Sequence, residues 1–342
     1  RACLRGRFGP IAAAMRRLLS AAAIFLLLGP LPGTEQRMRV MDRASQRIEA
    51  RPLVYPAGQT GTLRFVRGWR LVSPNAMFGG FSALALTGPD RFQIAGDNGV
   101  LVRMTLTDEG QPRAAHIGTI ASPTGGGRYK SQSDVESMLV DRQSGRTWLA
   151  LEGLNQVWRL DPTLTHIESR RALPEPAWPS NSGPEAMARL ADGRTLIFSE
   201  DAHSDPRGRE ALLYTGDPAA PGPAPLRFFY DAEGKGLVSD AAPLPDGRVL
   251  LVHRRLGLSP IFTTTLAIVD PADIAKDAVV RSVAIGQVPA PLADNYEGAA
   301  VMRRDGRTFV WLVADNNFNA WQRSLLVEFE LVDLPGSKKA AR

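Results

Sequence analysis

Acidic residues recur along this 342-residue chain at a spacing that chemistry can use. Glu136, Glu185, Asp240 and Glu297 each open an apolar run, and Ser82 takes the matching place in an earlier copy, giving steps of 54, 49, 55 and 57 residues. A second set, Asp97, Glu152, Glu200, Asp201, Arg254 and Asp315, follows the second apolar run of each copy. Carboxylates without thiols or clustered histidines suit a hard cation. A divalent ion, with calcium expected and zinc a poor fit, is therefore assigned to Glu136, Glu185, Asp240, Glu297 and Asp315. Glu136, Glu185, Asp240 and Glu297 are also the candidate catalytic carboxylates, joined by His253, whose imidazole suits proton transfer near neutral pH. Arg254 and Arg255 can fork onto an anionic oxygen, and Asn316 lies in the polar run Asp315-Asn316-Asn317-Phe318-Asn319, a ligand-bearing loop or simply a polar turn.

These residues lie far apart in sequence, so the elements that carry them must converge. From Thr62 onward, short runs rich in Val, Leu, Ile, Phe and Trp alternate with turn chemistry such as Asp192-Gly193, Asp246-Gly247 and Asp305-Gly306. Each copy divides into about four strands, the unit of a propeller blade. The expectation is an all-β propeller of five four-stranded blades, with six blades as the alternative. The fifth copy lacks a fourth strand, and Leu63 to Ser73 is the spare strand expected to close the ring.

In such a blade the first strand lines the channel and the second returns antiparallel. The start of one and the end of the next then share one mouth. Two unit charges ~6 Å apart at an effective dielectric of ~20 repel by roughly 3 kcal/mol, so a rim of ionised carboxylates needs a cation, the arginines or protonation to relieve it.

Composition limits the alternatives. Residues 1–33 hold five arginines and no acid, so the net charge of +6 falls to about +1 for the remainder, and nucleic-acid binding is not expected. Met15-Arg16-Arg17, an apolar run to Leu28 and a break near Gly33 have the layout of a secretory signal, too short for a stable membrane anchor. The protein is expected to be periplasmic or secreted, with residues 1–14 a start-site artefact, 34–61 a linker, 62–331 the propeller and 332–342 a disordered tail. Cys3 is the only cysteine and falls outside the exported part. A Gly-x-Ser-x-Gly elbow and a His-Glu-x-x-His helix are both missing, which disfavours an α/β serine hydrolase and a zinc protease. Gly125 to Lys130 reads as a flexible loop rather than a phosphate cradle, and Trp178 and Trp321 fall in loops where they could act as ligand platforms.

At Gly79-Gly80-Phe81-Ser82-Ala83-Leu84, Asn181-Ser182-Gly183-Pro184-Glu185-Ala186-Met187-Ala188, Asp294-Asn295-Tyr296-Glu297-Gly298-Ala299 and Val313-Ala314-Asp315-Asn316-Asn317-Phe318, the chain resembles the phytase-like family described as having esterase-like activity. The likeness spans roughly residues 62–331. It implies a bacterial β-propeller with phytase-like or phosphodiesterase-like hydrolysis, carried onto Glu136, Glu185, Asp240, Glu297, Asp315 and Asn316. Ser82 departs from the pattern, since the other copies have an acid there. The expected activity is hydrolysis of a small-molecule phosphoester or related ester at a metal-dependent mouth. The alternative is a non-catalytic propeller that binds a small ligand or a cell-envelope partner, and the fold alone cannot choose between them.

Overall fold

Two-residue turns and apolar alternation fold the chain into hairpins, seen most plainly at Asp305-Gly306. There φ is +52° and +75°, the paired positive values that a tight hairpin needs. At Asp192-Gly193 and Asp246-Gly247 only the glycine takes positive φ, while each aspartate accepts the amide of Arg194 or Arg248 two residues on. The computed structural model describes residues 42–56, 58–120, 134–179, 181–203 and 205–336. The signal segment Met15 to Gly33, Cys3 and the Gly125 to Lys130 loop lie outside the described residues.

Three strands come before the first blade: β1 (Glu49–Pro52), β2 (Gln59–Thr60) and β3 (Leu63–Val72). The first blade is β4 (Phe81–Gly88), β5 (Arg91–Gly96), β6 (Val100–Leu106) and β7 (Pro112–Thr119). The second is β8 (Val135–Val140), β9 (Thr147–Leu151), β10 (Gln156–Leu160) and β11 (Ile167–Ala172). The third is β12 (Pro184–Arg189), β13 (Thr195–Ser199), β14 (Arg209–Tyr214) and β15 (Leu226–Asp231). The fourth is β16 (Leu237–Pro243), β17 (Val249–Leu256), β18 (Phe262–Val269) and, after the short β19 (Val279–Arg281), β20 (Val283–Gln287). On its way between β18 and β20 the chain lays β19 parallel against β15 of the third blade.

The fifth blade contributes β21 (Tyr296–Arg304), β22 (Arg307–Ala314) and β23 (Leu325–Leu331), and β3 completes it, pairing antiparallel from Leu325↔Arg70 to Leu331↔Leu63. The expected closure is therefore present, and the propeller has five blades. Part of the stretch expected as a linker is built into the sheet. β1 pairs with β3 on its outer side and β2 forms a hairpin with it.

The five innermost strands, β4, β8, β12, β16 and β21, contact one another in a closed ring. Apolar side chains fill the gaps between successive blades. Trp69, Phe92 and Trp311 pack between the fifth and first, and Phe198, Phe228 and Tyr230 line the gap between the third and fourth. The seam that closes the ring also holds a half-buried ion pair. Arg67 of β3 donates to Glu328 of β23 at 2.6 Å while its guanidinium lies 5.0 Å from the Trp311 ring.

Candidate functional site: an acidic mouth built by five bulges

Near the start of every innermost strand the pairing with the next strand skips one residue. The skipped residues are Ser82, Glu136, Glu185, Ser239 and Glu297. A bulge leaves one residue without a ladder partner and re-aims its side chain. Five bulges at one level thus present five side chains at one end of the channel. A second tier follows the second strand of each blade. The amide of Asp97 donates to Gly80 O at 2.9 Å, Glu152 to Asp134 O at 3.0 Å, Glu200 to Gly183 O at 3.1 Å and Asp315 to Asn295 O at 2.8 Å. In the fourth blade Arg254, opposite Leu237, holds the corresponding place. Gly183 leaves room for this tier, because a Cβ there would stand 2.7 Å from the Glu152 side chain.

The fourth blade alone has no acid at either level. Ser239 takes the bulge and Arg254 the second tier, so the one blade without an acid at either level supplies a guanidinium. Arg254 Nη1 donates to Glu297 and, at 3.0 Å, to Asn295 Oδ1, while Nη2 reaches Glu200 Oε1 at 2.9 Å. Asn295 Nδ2 in turn donates to Glu297 at 2.8 Å. One guanidinium therefore joins the third, fourth and fifth blades across the mouth.

The remaining carboxyl groups are crowded and poorly hydrated. Burial, followed by the charges of Glu185, Glu297, Asp134 and Asp97, pushes the Glu136 carboxyl well above its ordinary range. Burial and Glu200 raise Glu185 well above that range, partly opposed by Arg254. Asp315 is likewise raised well above it by burial, Glu297 and Asp97, and Glu297 and Glu200 are raised chiefly by burial with Arg254 pulling them back. The same acids hold Arg254 more firmly protonated than an ordinary arginine.

Asp134, Glu136 and Glu152 each bring a carboxylate oxygen within 4.8 Å of the other two. Oxygens that share a calcium ion at ~2.4 Å lie at most ~4.8 Å apart, so this donor set fits a hard divalent cation. Glu136 was expected to be a ligand. Asp134 was not singled out, although the repeat alignment marks it: Gly80, Gly183 and Asn295 stand two residues before the bulge in other blades, where the second has an acid.

Several other expected residues lie elsewhere. Asp240 is one position past the bulge, so it is not the equivalent of Glu136. Its Oδ1 accepts the Ala241 amide at 2.8 Å and Ser137 Oγ at 3.3 Å, and its Oδ2 accepts the Ala299 amide at 2.7 Å. Ser137 Oγ also accepts the Met187 amide at 2.9 Å. Asp240 therefore cross-links the inner strands of four blades one level below the mouth and is committed to that task. His253 is also misplaced by the expectation, since neighbours on a strand face opposite ways and Arg254 takes the mouth side. It is fully buried between the third and fourth blades, with Nε2 2.7 Å from Tyr230 Oη, and burial drives its pKa down to about 3. Arg255 is exposed on the face opposite Arg254. Asn316 accepts the amides of Gly80 at 3.2 Å and Phe318 at 3.1 Å, a clamp between the fifth and first blades rather than a substrate contact. Asp315, Glu185 and Glu297 do stand in the mouth. Trp178 is buried and donates to Glu210 at 3.1 Å, whereas Trp321 is 68% exposed.

Fold and site together define a five-bladed β-propeller whose channel carries an acidic mouth with one embedded arginine. The family described as phytase-like, esterase-like activity of phytase, matches residues 76–318, and the chain belongs to it. No curated protein matches the sequence at a significant level. Among solved structures, the chain is similar to a glutaminyl cyclase from Myxococcus xanthus (14% identity, 79% of this chain and 97% of that one, TM-score 0.46). It is also similar to a glucose dehydrogenase (13%, 76% and 97%, 0.44) and to a gluconolactonase from Xanthomonas campestris (13%, 81% and 99%, 0.42). Among the described residues no helix is long and apolar enough to cross a membrane.

Proposed function

We propose that this protein is an exported hydrolase of a phosphoester or related ester, dependent on a divalent cation held at the acidic mouth. The observation that carries the reading is the convergence of Asp134, Glu136 and Glu152 within 4.8 Å, in the mouth where Arg254 is fixed. These three residues would hold the cation, calcium by the chemistry of the donors. A bound cation supplies Lewis acidity and makes water more acidic.

The chain's own groups account for the rest. Arg254, oriented by Glu297, Glu200 and Asn295, receives an anionic substrate oxygen. Glu185, whose carboxyl keeps its proton to higher pH than an ordinary glutamate, donates that proton to the leaving oxygen. Water adds to phosphorus or carbonyl carbon, the bond to the leaving oxygen breaks, and a mouth carboxylate takes up the proton lost by water. One water is consumed, an alcohol and a phosphate or carboxylate leave, and the proton gained by the mouth carboxylate returns to Glu185 or to solvent.

The test is turnover of 4-nitrophenyl phosphate and 4-nitrophenyl butyrate by protein stripped with chelator and then given calcium. Activity should vanish on stripping and return with the ion, and Glu136→Gln should lower kcat about 100-fold or more while remaining folded. Turnover unaffected by exhaustive chelation would remove the cation from the mechanism. A second reading, a non-catalytic propeller with a structural ion, is favoured by one set of contacts: Glu152 accepts the Gly183 amide at 3.1 Å and Asp315 the Asn317 amide at 2.7 Å, so part of the acidity fixes loops. On that reading Glu136→Gln lowers the melting temperature and no ester is turned over.

A further inference from the structure

A cleft of about 750 Å³ opens beside the acidic mouth and shares Arg254 and Asn295 with it. One wall is the β17–β18 hairpin, which extends past its neighbours and presents Leu256, Pro260, Ile261 and Phe262; the other is the loop after β22, which presents Trp321. Leu256, Ile261 and Trp321 are 71%, 55% and 68% exposed, so large apolar side chains stand in water around a concavity. The Trp321 loop is held in place. Asn317 and Asn319 both donate to Gln322 Oε1, at 2.8 and 2.9 Å, and the Trp321 amide donates to Asn319 Oδ1 at 3.0 Å.

Both cations of the cleft already face acids and are largely neutralised by them. Arg323 pairs with Asp294 at 2.8 Å and donates to Ala293 O at 3.1 Å, while Arg254 is shared between Glu297 and Glu200. A polyphosphorylated ligand needs several cations of its own, and here it would meet Asp294 in the cleft and the acids of the adjoining mouth instead. An apolar group needs only the walls. A cleft of this size, in which Leu256, Ile261, Phe262 and Trp321 stand beside a comparable number of fixed polar groups, is within the range of a small-molecule site.

We propose that this cleft receives the non-reacting part of the substrate, and that the substrate is an ester carrying at most one anionic group together with an aromatic or similarly bulky apolar group. The inference rests on the hydrolase reading above. In it the anionic oxygen meets Arg254 while the ring lies between Ile261 and Trp321, which act as positioning residues and take no part in bond making.

Two measurements test it independently. In the first, calcium-supplemented protein is titrated calorimetrically with 1-naphthylmethylphosphonate, which cannot be hydrolysed, and with inositol hexakisphosphate. The naphthyl compound should bind, Trp321→Ala should weaken it about tenfold or more, Trp321→Tyr should restore most of the affinity, and the hexakisphosphate should bind more weakly than the naphthyl compound. In the second, Trp321→Ala should raise KM for 1-naphthyl phosphate about tenfold with kcat little changed, leaving KM for glycerol phosphate unmoved. Trp321-dependent binding without turnover of any ester would support the cleft and overturn the hydrolase reading. Turnover that ignores Trp321, or preferred binding of the hexakisphosphate, would overturn the cleft inference.

Discussion

His253 shows how one step along a strand decides what a residue can do. In the run His253-Arg254-Arg255 all three side chains are polar, and sequence alone offers each of them to the mouth. The pleat allows only Arg254. His253 faces Tyr230 in the blade interface, with Ser282 bonded to the same hydroxyl at 2.6 Å and the positive charges of Lys235 and Arg209 acting on it from the neighbouring elements. Its consequence is acid lability. Above pH ~6.5 the ring is neutral in both folded and unfolded chains and contributes no pH dependence. As pH falls from ~6.5 toward the folded value of about 3, the unfolded chain gains a proton that the folded one refuses, and stability drops by about 1.4 kcal/mol per pH unit. Urea unfolding of His253→Gln across this range should show a shallower acid slope than the parent. Equal slopes would mean that His253 already ionises in the fold. The acidic tier was legible residue by residue where types repeat, at Glu136, Glu185, Glu297 and Asp315. Asp134 was missed because its counterparts in the other blades are Gly80, Gly183, Leu237 and Asn295, so a search for acids that repeat passes over it.

At the scale of the element, the bulge sets the register of function. The sequence Ser239-Asp240 offers two polar residues, and matching copies by acidity selects Asp240. Matching by backbone selects Ser239, because the unpaired position in the β16–β17 ladder is Ser239. No composition rule distinguishes these choices, since a slip of one residue moves a side chain to another environment without changing the strand's propensity. Strands, hairpins and closure were legible for the opposite reason: they depend on apolar alternation and turn residues that persist over many positions. Asp240 therefore belongs to the framework. Its carboxylate satisfies the buried amides of Ala241 and Ala299, and Asp240→Ala should destabilise the protein by about 1–3 kcal/mol while leaving calcium affinity within about twofold. Chemical denaturation and calorimetry on the same sample check both halves. A variant of unchanged stability that no longer binds calcium would return Asp240 to the metal site.

For the whole molecule, closure of the ring by β3 makes the mouth possible. The acids come from separate blades, and they stay together only because β3, entering ahead of the first blade, completes the fifth. The two ends of the channel then differ in character. The Asp240–Ser137 cross-link lies between the acidic mouth and an opposite cavity of about 640 Å³ whose walls mix Leu84, Met138 and Met302 with Arg142, Arg189 and Arg303. Acids gather at the mouth, whereas the charged groups at the opposite end are mainly the arginines Arg142, Arg189 and Arg303. The β17–β18 hairpin and the Trp321 loop, which break the repeat, add an annex with exposed apolar side chains beside the mouth. The annex was not legible from the repeats because it is made of their exceptions. The proposed hydrolysis requires cation binding by Asp134, Glu136 and Glu152, and calorimetric titration of chelator-stripped protein with calcium measures that binding directly. The parent should bind one ion with a dissociation constant at or below about 1 mM, and Glu136→Gln should weaken it at least tenfold with the fold intact. Absence of measurable binding in the parent, or equal affinity in Glu136→Gln, would contradict it.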